Sequence, residues 1–249
     1  MTNAVTLNAR KSADHAAKLA ETEALLTRAS ADYGPTTQAS SLGAEDVVIT
    51  HIIQRLGLTM PVFVLETGAL HEETLALLAR TQAAARLESP VRVYRPSAAR
   101  VAAFETEHGP KAMYQSIELR KACCGIRKLE PLAQALAGHK AWVTGLRREQ
   151  SGARAEVPLV DESELAATGR VKLNPLARWT WGDVWAYIGE HAVDYNPLHD
   201  RFFPSIGCAP CTRAISMGED FRAGRWWWED EAAKECGLHV SAAPEGALA

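Results

Sequence analysis

The sequence has 249 residues, of which 47% are hydrophobic and 23% are charged. This length and apolar content suffice for one sizeable core, and they exclude collagen-like, low-complexity and disulfide-scaffold proteins. The formal net charge of -3 argues against a nucleic-acid partner, because phosphate contacts need a basic surface. Any anion site must therefore be local.

The amino terminus predicts a cytosolic protein. MTNAVTLNARKSADHAAKLA has no continuous apolar stretch behind a basic start, and no later run approaches the length of a membrane span. We therefore expect a cytoplasmic chain with no membrane partner. Because thiols stay reduced there, the five cysteines are expected to be metal ligands, catalytic groups or buried small side chains.

Helical and strand-like patterns alternate along the chain. A segment rich in Ala, Leu, Glu and Lys predicts an amphipathic helix from about residue 9 to residue 33, ended by Gly34-Pro35. The predicted strands are TTQASS, PVFVLET, VRVYRP, KAWVTGLR and VKLNPL. Further helices are predicted over 44–57, 69–85, a stretch ending near 107, 115–136 and 180–192, and Pro131 is expected to kink or interrupt the fourth of these.

This alternation predicts an α/β fold with a mostly parallel sheet and helices on both faces. From Asn196 onward the regular pattern gives way to Pro, Gly, Cys and aromatic residues. We expect a single domain over 1–249, whose segment 226–249 is a mobile C-terminal tail.

Two close pairs of cysteines are candidate metal ligands: Cys123 with Cys124, and Cys208 with Cys211. Four thiolates from two pairs can complete one site. Adjacent cysteines reach a single tetrahedral zinc ion poorly, whereas on a cubane each can bind a different iron. The spacing therefore favours a four-iron, four-sulfur cluster over zinc. The alternative is that Cys123 and Cys124 are helix core residues.

Cys236 stands alone in the polar, glycine-containing segment KECGLH. A thiol needs cationic neighbours to be nucleophilic at neutral pH, and Arg222, Arg225 or a bound substrate could supply them. A spare surface thiol is the alternative, and spacing alone does not decide between the two.

Basic residues are concentrated over 120–128 and 147–154, although the chain as a whole is acidic. Such clusters predict a local site for phosphate or sulfate oxygens. Arg147 and Arg154 follow a predicted strand end, where ligands of α/β folds bind, so we favour them for this role. The alternative, a solvated helix face, is favoured more for Arg120 and Lys121 than for Arg147 or Arg154.

Two turns after predicted strands could allow backbone to approach a ligand. In ASSLGAEDVV, Ser40, Ser41 and Gly43 lead into a helix whose amides could cradle a phosphate. LETG, over 65–68, ends the next strand in a similar turn. Both signals are weak alone, because Glu45 and Asp46 also suit an ordinary helix first turn.

Trp226, Trp227 and Trp228 form an aromatic block that could stack on a base or anchor the tail. Packing is the expected role for most of these rings. The eight histidines show no metal-ligand spacing, and none is assigned as a ligand.

Taken together, these motifs resemble the iron-sulfur assimilatory adenylylsulfate (APS) reductases, relatives of the phosphoadenylylsulfate (PAPS) reductases. The resemblance runs from Ser40 to His239. It is carried by SSLGAEDV, LETGALHEET, CCGIRKLEPL, WVTGLRREQS, KLNPL, NPLHDRFFPSIGCAPCTRAI, GEDFRAGRWWWE and ECGLH.

The resemblance implies a fold like that of the adenine nucleotide alpha hydrolases and a reaction in two stages, within sulfate assimilation and cysteine biosynthesis. The thiolate of Cys236 would attack the sulfur of APS, forming S-sulfocysteine and expelling AMP. Thioredoxin would then release sulfite. The oligomeric state is left open, with a homo-oligomer among the options.

The resemblance also implies the residues of the site. The catalytic residue would be Cys236, and the ligands of one [4Fe-4S] cluster would be Cys123, Cys124, Cys208 and Cys211. The substrate-binding positions would be Ser40, Leu65, Thr67, Gly68, Lys128, Gly145, Arg154, Arg222 and Arg225.

Two positions depart from the family pattern. Glu66 stands where Asp is usual, and Leu42 stands where a hydroxyl is common among APS reductases. The chain also lacks the Gly-Gly-Lys pattern of ATP-splitting relatives, which argues against an ATP-dependent modifying enzyme. Two competing functions stay open: a PAPS reductase, and a zinc-stabilised nucleotide-binding protein without reductase activity.

Overall fold

The structure is a computed structural model that describes residues 3–230. Cys236, and with it residues 231–249 of the predicted tail, lies outside the described residues. Within the described part of the chain, no helix is long and apolar enough to cross a membrane.

Helices and strands alternate through most of the described chain. The helices are α1 (Ala4–Asn8), α2 (His15–Asp32), α3 (Ala44–Arg55), α4 (Glu72–Ala84), α5 (Ala98–His108), α6 (Ile117–Cys124), α7 (Glu130–Ala135), α8 (Leu165–Thr168) and α9 (Trp181–His191). The strands are β1 (Thr36–Ser40), β2 (Val62–Leu65), β3 (Val91–Tyr94), β4 (Ala141–Val143), β5 (Val160–Asp161) and β6 (Val171–Leu173).

The strands form one six-stranded sheet in the order β3-β2-β1-β4-β6-β5. All neighbouring strands run parallel except β5, which is antiparallel to β6. The prediction of a mostly parallel sheet is confirmed. The direction of strand addition reverses between β1 and β4, so the loops leaving these two strands diverge and open a crevice at their carboxyl ends.

Alternating side chains on the strands serve two separate cores. On β4, Val143 belongs to the larger core, which includes residues of α2, α3 and α9, such as Trp185. Trp142 belongs to a second core with Phe63 and Leu136. Because successive side chains of a strand point to opposite faces, helices cover both faces of the sheet, as predicted.

The predicted helix over 115–136 is interrupted just before Pro131, as expected. A wider, π-helical turn over Gly125–Leu129 separates α6 from α7. Pro131 lies just after this turn, and its missing N–H and its ring act on the carbonyl four residues earlier, that of Arg127, which lies inside the turn. The interruption extends back to Cys124, the last residue of α6.

Three short elements escaped prediction: α1, β5 and α8. They contain five, two and four residues, which is too few for a hydrophobic period to emerge. From Asn196 onward, two short 3-10 turns, Pro197–Arg201 and Ala209–Cys211, are the regular pieces among the described residues.

Asp183 connects the start of α9 to α2 and to the segment before it through hydrogen bonds. It accepts hydrogen bonds from the Thr180 N–H at 3.0 Å, the Ser12 N–H at 2.8 Å and Lys18 Nζ at 3.1 Å. Burial alone would raise the pKa of Asp183, but the N–H groups of Ser12 and Thr180, the Ser12 hydroxyl and Lys18 together hold it below its ordinary value. The carboxylate is therefore ionised and satisfied inside the protein.

We predict that Asp183→Ala lowers the free energy of unfolding by about 3–5 kcal/mol, because it leaves the largely buried Lys18 ammonium without its buried partner. Denaturant unfolding of the purified variant measures this cost. Asp14→Ala is the matched control, since Asp14 pairs with the same lysine but is 64% exposed. Equal losses in the two variants would contradict the assignment.

Candidate functional site

A cleft of about 200 Å³ lies at the crevice between β1 and β4. Its walls come from the loops after β1, β2 and β4 and from two later segments, 204–208 and 221–225. Most of the predicted substrate-binding residues line it: Ser40, Leu65, Thr67, Lys128, Gly145, Arg154, Arg222 and Arg225. Gly68 does not, and it lines a neighbouring cavity instead.

The lining combines apolar and cationic side chains. Phe63, Leu132 and Trp142 supply apolar surface, while the cations come from the lysine and the arginines just named. Aromatic and aliphatic surface suits a planar ring, and guanidinium groups suit oxyanions. The cleft can therefore bind a small molecule that carries both a planar ring and an oxyanion.

The loop after β1 is held in one conformation by Asp46. The carboxylate accepts hydrogen bonds from the Ser41 N–H at 2.6 Å and from the Ser41 hydroxyl at 2.7 Å. Burial raises the pKa of Asp46 to about 6, and the hydrogen bonds from Ser41 oppose this shift. The Ser40 hydroxyl accepts the Leu42 N–H at 3.2 Å.

The two departures from the family pattern face away from the cleft. Leu42 has a left-handed backbone, with φ of 61°, and its side chain is buried in the larger core. Glu66 turns back on its own loop, where it accepts the Gly68 N–H at 2.7 Å and Arg95 Nε at 3.0 Å. Both side chains therefore support the shape of the loops.

Gly145 provides a close approach between the β4 loop and α3. A Cβ on this residue would stand 2.4 Å from Asp46 Oδ1 and 3.0 Å from Glu45 Cβ. Since the first distance lies far inside van der Waals contact, only glycine fits without displacing a wall of the cleft.

Two expectations about arginines were wrong. Arg147, favoured for anion binding, is fully buried and pairs with Glu45 at 2.9 Å and Glu149 at 2.8 Å, so its charge is neutralised inside the protein. Arg120, expected on a solvated helix face, is 1% exposed and binds Glu229 through Nε at 2.9 Å and Nη2 at 2.7 Å. Each arginine is buried beside a carboxylate partner. The spacing of basic residues along the chain does not reveal such a partner.

Arg225 is buried against the cleft in a defined orientation. Its Nη1 donates to the Ser205 hydroxyl at 3.2 Å, and its guanidinium stacks 4.7 Å from the centre of the Trp226 ring. Its Nε has no hydrogen-bond partner among residues 3–230. Gly207 lies directly beside it, because a Cβ there would stand 2.5 Å from Arg225 Nη2.

The four predicted ligand cysteines line a second cavity of about 340 Å³. Cys123 and Cys124 lie in the last turn of α6, whereas Cys208 immediately precedes the 3-10 turn Ala209–Cys211 and Cys211 ends it. The structure therefore brings together two pairs that are far apart in the sequence.

Three of the four cysteines are buried, and Cys124 is half-buried. Burial, and secondarily the nearby Cys208, raises the pKa of the Cys211 thiol to about 12, while Lys128 and Arg225 act in the opposite direction. Within the described residues, no three Cys, His, Asp or Glu side chains are arranged to ligate one metal ion. A cluster does not need that convergence, because each thiolate binds a different iron.

Trp226 seals the cysteine cavity, as the packing expectation required. The ring is 1% exposed and belongs to a small core with Met113, Cys123 and Cys211. Arg120 stacks 4.7 Å from the centre of the Trp226 ring. The backbone N–H of Trp226 donates to the Cys211 carbonyl at 3.2 Å.

The cleft also contains residues that the sequence motifs did not single out. Among them are Gln150 and the segment 204–207, which includes Ser205 and Gly207. Gly207 was a recognisable signal, since a glycine immediately before Cys208 indicates a close backbone approach. The amide of Gln150 gave no signal.

Comparison with known proteins supports one family. Residues 35–214 match the model of the phosphoadenosine phosphosulfate reductase domain. An adenosine 5'-phosphosulfate reductase of Burkholderia cepacia is 50% identical over 226 residues, which cover 91% of this chain and 89% of that protein. The enzyme of that name from Allochromatium vinosum is 50% identical over 215 residues, or 86% of this chain and 82% of that protein.

Solved structures give the same result for the fold. A phosphoadenylyl-sulfate (PAPS) reductase from Candida auris, solved as a phosphate complex, is similar with a TM-score of 0.64 and 25% identity, covering 80% of this chain and 97% of that chain. An FMN adenylyltransferase from Candida glabrata, solved with FMN and an ATP analog, is similar with a TM-score of 0.54 at 12% identity, covering 93% and 82%. The second likeness concerns the fold alone.

We predict that Gly145→Ala lowers the free energy of unfolding by about 1–3 kcal/mol, because the new methyl group overlaps Asp46 and forces the cleft wall to shift. Chemical denaturation measures the loss. Gly152→Ala is the control, since a Cβ on Gly152 meets no atom within 4 Å. A Gly145→Ala variant as stable as Gly152→Ala would contradict the close approach.

Proposed function

Because the chain belongs to the phosphoadenosine phosphosulfate reductase family, we propose that it reduces adenosine 5'-phosphosulfate to sulfite and AMP in sulfate assimilation and cysteine biosynthesis. Identity of 50% to two adenosine 5'-phosphosulfate reductases, each matched over most of its length, supports this choice of substrate.

One structural observation carries the proposal. The cleft and the cysteine cavity share a wall, since Lys128 and Cys208 line both. A nucleotide in the cleft would therefore place its anionic end close to the four cysteines. A protein that only binds a nucleotide does not require four cysteines beside its anion site.

The proposed reaction has two stages. The Cys236 thiolate attacks the sulfur of APS, the bond from sulfur to the bridging oxygen breaks, and AMP leaves with that oxygen. Cys236 then carries a sulfonate as S-sulfocysteine. A thiolate of reduced thioredoxin attacks the Cys236 sulfur and expels sulfite, and the second thioredoxin thiol resolves the resulting mixed disulfide. Thioredoxin is thereby oxidised by two electrons.

The cleft residues would bind the substrate and stabilise its leaving group. Negative charge develops on the AMP phosphate as the anhydride breaks, and fixed cations lower the energy of that state. We assign this role to Lys128, Arg154, Arg222 and Arg225. The nucleoside would be held by Ser40, Leu65, Thr67, Gly68 and Gly145. Of these, Gly68 would act from the adjoining cavity.

The donor set of the second cavity fits one [4Fe-4S] cluster held by Cys123, Cys124, Cys208 and Cys211. Burial raises the pKa values of the Cys123 and Cys211 thiols, so these groups are costly to ionise unless a cationic group binds them. When bound, the cluster would tie the end of α6 to the 208–211 turn and tune the charge beside the cleft. Electron transfer through it is not required, because a dithiol donor supplies both electrons.

The cytoplasm is the compartment that suits this chemistry, because thioredoxin is available there and thiols stay reduced. A homo-oligomer remains compatible with the proposed reaction. The likeness to a PAPS reductase structure makes the 3'-phosphorylated nucleotide the competing substrate.

We predict that anaerobically purified protein given reduced thioredoxin releases sulfite faster from APS than from PAPS, at equal low concentration. Cys236→Ser should release none, because it lacks the nucleophile, and should keep the iron content of the unmodified chain. Sulfite assays and iron analysis measure both. Preference for PAPS would overturn the substrate assignment, and sulfite release by Cys236→Ser would overturn the role of that cysteine.

We predict about four iron and four acid-labile sulfide per chain. Cys208→Ser should lose most of both, whereas Cys236→Ser, which removes the proposed nucleophile and no proposed cluster ligand, should retain them. Metal and sulfide analysis of the purified proteins measures the contents. About one zinc and no sulfide in the unmodified chain would favour a zinc-stabilised nucleotide-binding protein.

A further inference from the structure

Gln150 lies where three loops of the cleft meet, and its side-chain amide is fully engaged. Its Nε2 donates to Glu45 Oε1 at 3.0 Å and to the Gly145 carbonyl at 3.1 Å. Its Oε1 accepts the Arg147 N–H at 3.2 Å and Arg154 Nη1 at 2.6 Å. The side chain thus joins two residues assigned to substrate, Gly145 and Arg154, to a buried support.

The four hydrogen bonds fix which way the amide points. A primary amide carries two N–H donors and two acceptor sites, and Gln150 uses all four. If the amide were flipped, its NH₂ would face the Arg147 N–H and the Arg154 guanidinium, and its oxygen would face a carboxylate and a carbonyl. Every contact would then be repulsive, so the surroundings select a single orientation.

The support behind Gln150 is rigid. Glu45 Oε1, which accepts from Gln150, also accepts from Arg147 Nε at 2.9 Å. Arg147 is fully buried, binds Glu149 at 2.8 Å and stacks 5.3 Å from the centre of the Trp181 ring. Because the Glu45–Arg147 ion pair is itself held by several contacts, it provides a fixed hydrogen-bond acceptor that holds the Gln150 side chain in one position.

Arg154 receives this support through the hydrogen bond from its Nη1 to Gln150 Oε1. It ends a three-residue 3-10 turn, Gly152–Arg154, so little regular structure fixes its backbone. A long side chain ordered before binding loses less conformational entropy when the ligand arrives. Gln150 also orients the guanidinium without adding negative charge, whereas a carboxylate in its place would weaken attraction to an oxyanion.

We propose that Gln150 is a positioning residue for the nucleotide, which sets the Arg154 guanidinium in the geometry that binds the anionic substrate. This inference rests on the proposed function and deepens it. Gln150 acts through Arg154 and is not itself a catalytic residue.

The first test replaces Gln150 in the full-length, cluster-containing protein. Gln150→Leu should weaken AMP binding, measured by calorimetry, about tenfold. It should lower kcat/KM for APS by at least the same factor, because Arg154 both binds the substrate anion and stabilises the charge that develops on the leaving phosphate. Gln134→Leu, on the exposed side of α7, is the matched control and should behave as the unmodified chain.

A double-mutant cycle separates positioning from general loosening of the cleft. If Gln150 acts through Arg154, then Gln150→Leu should weaken AMP binding less than about twofold when Arg154→Ala is already present. In the Arg225→Ala background the same change should keep its full effect, since Arg225 is not among the four partners of the Gln150 amide. Equal effects of Gln150→Leu in both backgrounds would overturn the proposal.

Two further results keep the test decisive. If Gln150→Leu does not fold, Gln150→Asn replaces it in the cycle, because the shorter amide stays polar but cannot span both Glu45 and Arg154. Unmodified protein that neither binds AMP nor releases sulfite contradicts the proposed function itself. Unmodified protein that does both, while Gln150→Leu matches Gln134→Leu, contradicts only the role of Gln150.

Discussion

The buried ion pair between Glu45 and Arg147 is the constraint on which the cleft depends. Glu45 lies in the first turn of α3, after β1, and Arg147 follows β4, so the pair bridges the two segments that diverge at the reversal of strand order. Removing either charge would leave the other buried without compensation, which is among the costliest changes in a protein interior. The pair thereby keeps the crevice at one width. Gly145, packed against α3, and Gln150, bonded to Glu45, take their positions from it.

The second organising feature is the wall that the cleft shares with the cysteine cavity. The π-helical turn Gly125–Leu129 follows Cys124 directly and carries Lys128, which lines both cavities. Cys208 completes the shared wall from the other side. An insertion of this kind in a helix re-aims the residues that follow it, and such turns are frequent at functional sites. One local departure from α-helical geometry thus connects a thiol set to an anion site.

The sequence predicted the fold well because its signals are local. Runs of alternating strands and helices such as TTQASS followed by AEDVVITHIIQRLG are long enough to show their periods, and these elements formed where expected. The errors lie where length or partners matter. The helices α1 and α8, of five and four residues, and the two-residue strand β5 are too short to show a helical or strand period. Arg147 and Arg120 were misassigned because their carboxylate partners, Glu45 and Glu229, lie 102 and 109 positions away.

By itself, the sequence determined the α/β class, the two cysteine pairs and the family resemblance, since all three are written in residue type and short spacing. Tertiary structure alone decided that Cys123 and Cys124 share a cavity with Cys208 and Cys211, and that this cavity adjoins the cleft. It also decided which arginines face the cleft and which are neutralised by internal carboxylates. The physical reason is that burial and pairing are properties of three-dimensional neighbours. A guanidinium has the same chemistry at Arg147 and Arg154, and only its surroundings make one a support and the other a candidate ligand for an anion.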